Sequence, residues 1–252
     1  MTVSIIIAVK TYGKNLEECV SKCRELDYPD FEIIVAPDKE IKLAYPRAKI
    51  VPTGSVSPAK KRDLSSKCAA GEILAFLDDD AYPEKDWLKN AVSNFFNPDV
   101  AAVGGPAVTP SDDDLWRKAS GMVYENFLVG GPYRYRYAIG KRRDVVDYPS
   151  CNLLVRKDIF DKLGGFDTAF WPGEDTKLCL EIVSKLSKKI IYDPKVVVYH
   201  HRRPLFVPHL KQIANYAMHR GYFVKIYPQT SLKLSYFIPS LFVLTIVIGA
   251  VL

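Results

Sequence analysis

The chain has 252 residues, enough for one large α/β domain with a sizeable core or for two small ones. Hydrophobic residues make up 48% and charged residues 25%, which excludes an intrinsically disordered chain. The formal net charge of +6 suits a phosphate-bearing ligand, an anionic membrane surface or a slightly basic soluble surface.

The N-terminus lacks the basic start and long apolar run of a secretory signal, so none is expected. Val3–Val9 is a continuous run rich in β-branched residues, as expected of a strand buried on both faces. Asn15–Leu26 predicts a helix with Leu16, Cys19, Val20 and Cys23 on one stripe. Phe31–Ala36 and Lys49–Pro52 read as the second and third strands. Ala59–Ala70 predicts a helix closed by Gly71 as a C-cap. Ile73–Leu77 is the next strand, and Asp78-Asp79-Asp80 follows at its C-terminal end. The βα alternation predicts an α/β fold, in which ligands bind at the carboxyl ends of the strands.

Trp87–Phe96 predicts a helix, and Val100–Val108 a strand interrupted by Gly104-Gly105-Pro106. Residues 110–147 read as a helix plus a mobile loop. Asn152–Val155 predicts a strand, Lys157–Leu163 a short helix stopped by Gly164-Gly165, and Glu174–Leu186 a longer helix. Lys189–Tyr199 contains a strand, and His209–Tyr227 is amphipathic. The run from Phe237 to Leu252 carries no charge. It falls short of the roughly 20 residues a spanning helix needs and reads as the start of one. Lys225 and Lys233 before it fit a cytoplasmic side. The expected division is a catalytic unit over 1–204, an amphipathic membrane-proximal arm over 205–235 and the start of a transmembrane helix over 236–252. The five cysteines form no Cys-x-x-Cys pair and read as reduced thiols of a cytoplasmic domain.

Three constellations carry chemistry. Side chains on an extended segment alternate faces, so Asp78 and Asp80 can enter one cleft and hold a divalent cation against a diphosphate. A solvated acidic turn is the plainer alternative. Trp171-Pro172-Gly173-Glu174-Asp175 offers a general base at a helix N-terminus, where the dipole would keep it ionised rather than raise its pKa. Simple helix capping accounts for these acids equally well. His200-His201-Arg202-Arg203 can supply a metal ligand and bidentate phosphate donors, or a basic patch facing lipid. The lysines of Lys60-Lys61-Arg62 read as a solvated helix face. The run from Tyr133 to Tyr137 can stack on a sugar or lipid head group. Nucleic acid is not expected, because the basic patch is short and acids are many.

Taken in order, these residues resemble the inverting glycosyltransferases of family 2, over Val3 to about Arg203. The resemblance implies a GT-A fold, a Rossmann-like mixed sheet flanked by helices that binds a nucleotide-diphospho-sugar. Val3–Tyr12 looks like the family's opening strand and nucleotide-binding turn, which brings Ala8, Lys10 and Tyr12 to the donor nucleotide. Asp38 resembles the base-contacting acid, although its usual acidic neighbour is Pro37 here. Arg62 is similar to an arginine near the diphosphate, followed by Asp63 where an asparagine is usual. Asp78-Asp79-Asp80 matches the Asp-x-Asp motif, implying Mg²⁺ or Mn²⁺ with Asp80 as ligand and Asp78 and Asp79 on the donor side. The segments Asn152–Lys157 and Gly164–Asp167 look like the acceptor side.

Gly173-Glu174-Asp175 resembles the Glu-Asp motif, with Asp175 as base beside Glu174 and with Trp171, Gly173 and Asn152 near the acceptor. His200 is similar to a histidine that approaches the metal, with Arg202 and Arg203 on the diphosphate. The Arg-Trp motif of processive members is absent, which implies addition of a single sugar. The expected donor is a UDP or GDP sugar, and the expected acceptor is lipid-linked or a saccharide at the cytoplasmic membrane face. The alternatives are a nucleotidyltransferase that makes a sugar nucleotide, disfavoured because Lys10–Asn15 contains only Gly13, or a catalytically silent membrane-anchored binding module.

Overall fold

The computed structural model of the chain describes residues 1–43, 45, 48–166, 169 and 172–251. β1 (Val3–Ala8) lies between β2 (Phe31–Ala36) and β4 (Ile73–Asp78), all parallel, and β3 (Ala48–Ile50) extends the sheet beyond β2. On the other side β9 (Asn152–Arg156) runs antiparallel between β4 and β6 (Val100–Gly104). β10 (Lys189–Tyr192) and β8 (Arg143–Val145) complete an eight-stranded mixed sheet of order β3-β2-β1-β4-β9-β6-β10-β8.

Both faces of β1 are buried, and the period-two alternation of its side chains sorts them into two cores. Ile5 and Ile7 pack with Leu16, Cys19, Val20 and Cys23 of α1 (Lys14–Arg24) and with Trp87 and Leu88 of α3 (Trp87–Asn94). Ile6 packs on the other face with Ala59 of α2 (Pro58–Ser66), Phe160 of α6 (Lys157–Lys162) and Leu178 and Ile182 of α7 (Glu174–Ser184). The chain runs from β1 outward to β3 and then returns to β4 on the opposite side of β1. The crevice at the carboxyl ends of β1 and β4 is therefore a topological switch point.

A second sheet of three short strands, β5 (Ala81–Pro83), β11 (Val198–His200) and β7 (Ala107–Val108), sits beside this crevice. Three local expectations change. The second helix ends at Ser66, and Gly71 serves close packing instead of a cap: a Cβ there would lie 2.5 Å from the Ser4 backbone nitrogen. Residues 100–108 form two strands in two different sheets, because Gly105 and Pro106 break the run. Residues 110–147 fold into α4 (Leu115–Glu125), α5 (Phe127–Gly130), a 3₁₀ turn over Gly131–Arg136 and β8.

The C-terminal segment forms α8 (Val207–Ile226), α9 (Pro228–Ser231) and α10 (Leu234–Val251). On α8 only His209 and Phe223 are buried, while Phe237, Leu241, Phe242, Val243 and Ile246 of α10 stand exposed. Among the described residues, no helix is long and apolar enough to cross a membrane.

Candidate active site

The acids of the triplet separate according to the strand that carries them. Asp78 ends β4 directly beside Ala8 of β1, and its carbonyl accepts a 3.7 Å contact from the Cys19 thiol on α1 beneath it. Asp80 falls in the turn to β5. Because β5 pairs antiparallel with β11 so that Ala81 faces His200, His200 Nε2 is brought to 3.1 Å from Asp80 Oδ1. Ligand atoms of Asp78, Asp80 and His200 all lie within 4.8 Å of one another. Two carboxylates and an imidazole form a donor set that fits Mg²⁺ or Mn²⁺. Burial pushes the Asp80 carboxyl up, but the charge and hydrogen bond of His200 override it and leave it below its ordinary value. Asp79 is raised to about 6 by burial and by its two acidic neighbours. It lines the mouth of the crevice with Lys10, Tyr12 and Asn15.

His200 is held from behind. Arg202 is 6% exposed and donates through Nη1 to His200 Nδ1 at 2.9 Å, with further bonds to Thr109 Oγ1 and the Ala107 carbonyl. These donors are spent inside the protein, so the expected diphosphate contact of Arg202 is corrected: it fixes the imidazole that faces Asp80. Arg203 is exposed. His201 is turned away, between Asp113 Oδ1 at 2.7 Å and Glu18 Oε2 at 2.9 Å. Burial lowers the His201 pKa, and these two acids more than reverse that.

At the end of β2, Asp38 Oδ1 accepts from Lys61 Nζ at 2.6 Å, which holds its carboxyl below the usual range. Lys61 is 3% exposed and also donates to Thr53 and Gly54, so the solvated helix face expected of it is corrected. α2 starts on Ser57 as N-cap, and its face toward the sheet delivers both Lys61 and Arg62.

Arg62 joins the two halves of the crevice. Its Nη2 donates to Asp78 Oδ1 at 2.6 Å, and its Nη1 lies 3.3 Å from Glu174 Oε1. Glu174 and Asp175 open α7 after Gly173, whose φ of +129° is one that side chains rarely adopt. The Asp175 carboxylate accepts from the Ser150 backbone N–H at 3.1 Å and from that of Thr176 at 2.7 Å. The expectation that the helix dipole dominates is corrected. Burial, reinforced by Asp175, raises Glu174 to about 7, and burial with Asp147 raises Asp175. Desolvation outweighs a terminal dipole worth at most about 2 kcal/mol.

Asn152 is not on the acceptor side. It is fully buried and accepts from Trp87 Nε1 at 2.9 Å while donating to the carbonyls of Gly105 and Val196, which makes it a brace between β9 and the small sheet. Trp171 and Asp167 lie outside the described residues. Asp147 and Arg220 gave no motif signal, yet the structure places both within electrostatic reach of Asp175.

Residues 4–164 match the family model described as glycosyl transferase family 2, and the chain belongs to that family. Its central mixed α/β sheet accords with that membership. The chain is 29% identical over 150 residues to a glucosyl-dolichyl phosphate glucuronosyltransferase of Haloferax volcanii, covering 55% of this chain and 46% of that one. It is 24% identical over 242 residues to a dolichyl N-acetyl-α-D-glucosaminyl phosphate 3-β-D-2,3-diacetamido-2,3-dideoxy-β-D-glucuronosyltransferase of Methanococcus voltae, covering 88% and 74%. Against the Haloferax protein and a pre-mycofactocin glycosyltransferase of Mycobacterium tuberculosis, the chain spans only 46% and 31% of the relative's length. In fold it is similar to a mannosyltransferase of Pyrobaculum calidifontis in complex with GDP-Man and Mn²⁺, with a TM-score of 0.63, 21% identity, and 88% and 64% of the two chains covered. GalNAc-T7 with UDP, GalNAc and Mn²⁺ gives a TM-score of 0.63 at 15% identity, over 92% and 51%.

Proposed function

We propose that this protein is a metal-dependent, inverting glycosyltransferase that moves one sugar from a nucleoside-diphosphate sugar to a hydroxyl or phosphate of a lipid-linked acceptor at the cytoplasmic membrane face. The observation that carries the reading is the convergence of Asp78, Asp80 and His200 at the carboxyl end of β4, joined through Arg62 to the Glu174-Asp175 pair. A divalent cation bound there supplies charge neutralisation for the departing diphosphate. Asp38 and Tyr12 receive the nucleoside, and exposed Arg203 faces phosphate oxygens.

Asp175 takes the proton of the acceptor hydroxyl. Its oxygen forms the new bond to the anomeric carbon as the bond to the diphosphate breaks, and the electron pair leaves with the diphosphate. Displacement from the opposite face inverts the anomeric centre. A buried carboxylate with a raised pKa is a stronger base than an exposed one, which suits this role.

The membrane reading is supported by charge and exposed apolar surface. From Pro194 to Leu252 there is no Asp or Glu, and the seven lysines and arginines of this stretch exceed the whole chain's net charge of +6. The remainder of the chain is thus slightly acidic. A base-rich segment with exposed apolar helices suits an anionic bilayer.

A thermal-shift screen of UDP and GDP sugars, with and without Mn²⁺, tests the donor side. A true donor at 100 times its Kd stabilises the native state by about 2.7 kcal/mol. The expected result is a rise in Tm that needs both sugar nucleotide and Mn²⁺. No Mn²⁺-dependent rise with any sugar nucleotide overturns the reading.

A further inference from the structure

The carboxylate of Asp147, in the segment between β8 and β9, is 5% exposed and serves three separate elements. Its Oδ1 accepts from Thr176 Oγ1 at 3.0 Å, in the first turn of α7 and next to Asp175. Its Oδ2 accepts from Arg220 Nη2 of α8 at 2.9 Å and lies 3.3 Å from Arg136 Nη2 of the 3₁₀ turn, which donates to the Asp147 carbonyl at 2.8 Å. One buried acid therefore ties the helix of the base to the C-terminal arm. Flanked by two guanidinium groups, the Asp147 carboxyl is held down at about 2 despite its burial, so it is a fixed negative charge.

Arg220 is the point where all three helices of the arm meet. Its Nη1 lies 3.4 Å from Ser231 Oγ on α9, and Ser231 is fully buried. Its guanidinium sits 5.0 Å over the ring of Tyr236 on α10. Tyr236 in turn stacks on Tyr133 of the 3₁₀ turn, with centroids 4.9 Å apart. A shift of any arm helix is felt at Arg220, and through Asp147 at Thr176.

We propose that Asp147 and Arg220 are positioning residues that make sugar transfer depend on docking of the C-terminal arm against the catalytic domain. Neither group touches the reacting atoms. They act on Asp175 in two ways: Asp147 anchors the first turn of its helix, and the pair sets the field around its carboxylate. Burial raises Asp175, Asp147 raises it further, and Arg220 lowers it. Other ionisable groups facing Asp175 among the described residues include Glu174 and Cys179 on its own helix, Cys151 before β9, and Arg62 on α2. None of these belongs to the arm, whereas Arg220 does, so undocking removes its positive charge. This inference rests on the reading of Asp175 as the general base.

The test uses the full chain, with UDP-glucose and GDP-mannose as donors, Mn²⁺ present and water as acceptor, followed by nucleoside-diphosphate release against pH. Arg220→Met keeps the length and apolar stem of the side chain and removes its charge. We expect kcat to fall about tenfold with little change in donor KM, as for an interaction made only in the transition state. The acidic limb of the kcat profile should move to higher pH by about half a unit or more. Asp147→Asn should move that limb the other way, because it removes a negative charge and leaves Arg220 unneutralised. Arg220→Lys should restore most of the rate.

A merely structural pair lowers the rate but does not shift the two profiles in opposite directions. Unchanged profiles in the two folded variants overturn the proposal. Failure of both to fold, seen in circular dichroism, assigns the pair to stability alone and overturns it too. Asp175→Asn separates the two readings. If it is inactive while Arg220→Met matches the wild type, the base stands and the link fails. If it stays fully active, the base assignment itself is lost.

Discussion

Arg62 Nη1 lies 3.3 Å from Glu174 Oε1, across 112 positions of sequence, and joins α2 to the first turn of α7. The same guanidinium holds Asp78 at 2.6 Å and is 4% exposed. Removing one partner of a buried ion pair costs about 3–5 kcal/mol, because the charges left behind are uncompensated. Arg62→Met should therefore destabilise the fold by about that amount in urea unfolding. Arg62→Lys keeps the charge, but a single ammonium cannot serve both carboxylates in this forked geometry. It should fold and lose about 100-fold in kcat. Wild-type turnover in Arg62→Lys would refute the bridging role.

Asp80→Asn and His200→Ala address the cation. Within the group of Asp78, Asp80 and His200, the first removes a carboxylate charge and the second a ligand atom. Each should weaken Mn²⁺ binding by about tenfold or more, read as a rightward shift in the Mn²⁺ titration of Tm with UDP or GDP present. Arg202→Met should give a smaller shift, because it leaves the His200 ring in place and removes only the bond to Nδ1. An unaltered Mn²⁺ titration in Asp80→Asn would exclude Asp80 as a ligand.

Asn152→Ala separates a brace from an acceptor contact. The substitution leaves Trp87 Nε1 and the Val196 carbonyl without this partner in the interior, while the Gly105 carbonyl keeps its bond from the Tyr148 hydroxyl. Each buried unsatisfied group costs about 1–3 kcal/mol. A loss of at least about 2 kcal/mol in stability is expected, with acceptor KM unchanged in the surviving folded protein. A normal Tm with a raised acceptor KM would restore Asn152 to the acceptor side.

The order of elements and the position of the acidic triplet were legible because their signals are local. Ile5–Val9 and Ile73–Leu77 are continuous apolar runs, and Asp78 and Asp80 follow at the strand end where an α/β sheet binds ligands. What was not legible depends on pairing between distant segments. Nothing near His200 indicates that β11 pairs with β5, which is what brings its ring to Asp80. Lys61 and Arg202 look like solvent-facing cations until the sheet closes over them. Asp147 and Arg220 stand 73 positions apart, with no recurring motif around either. The Asn152 side chain points inward because its partners lie on three other segments.

Asp63, next to Arg62, gives a stability prediction with a defined pH sign. Its carboxylate accepts from the Phe166 backbone N–H at 2.8 Å and crowds Gly165, where an added Cβ would lie 2.7 Å from Oδ1. Burial is the largest influence and raises Asp63 from 3.8 to about 6. A carboxyl raised in the folded state favours its neutral form there. Its contribution is fully present below pH 4 and is lost as pH rises through about 6. At about 1.4 kcal/mol per pKa unit the full shift corresponds to about 3 kcal/mol, and solvent screening of this partly exposed group reduces it to about 1 kcal/mol. Asn accepts the same hydrogen bond without ionising. Asp63→Asn should therefore raise Tm by a few degrees at pH 7.5, with the gain shrinking toward zero near pH 4. Melting curves across that range decide it: a gain of equal size at every pH would mean that the carboxylate charge is not the cause.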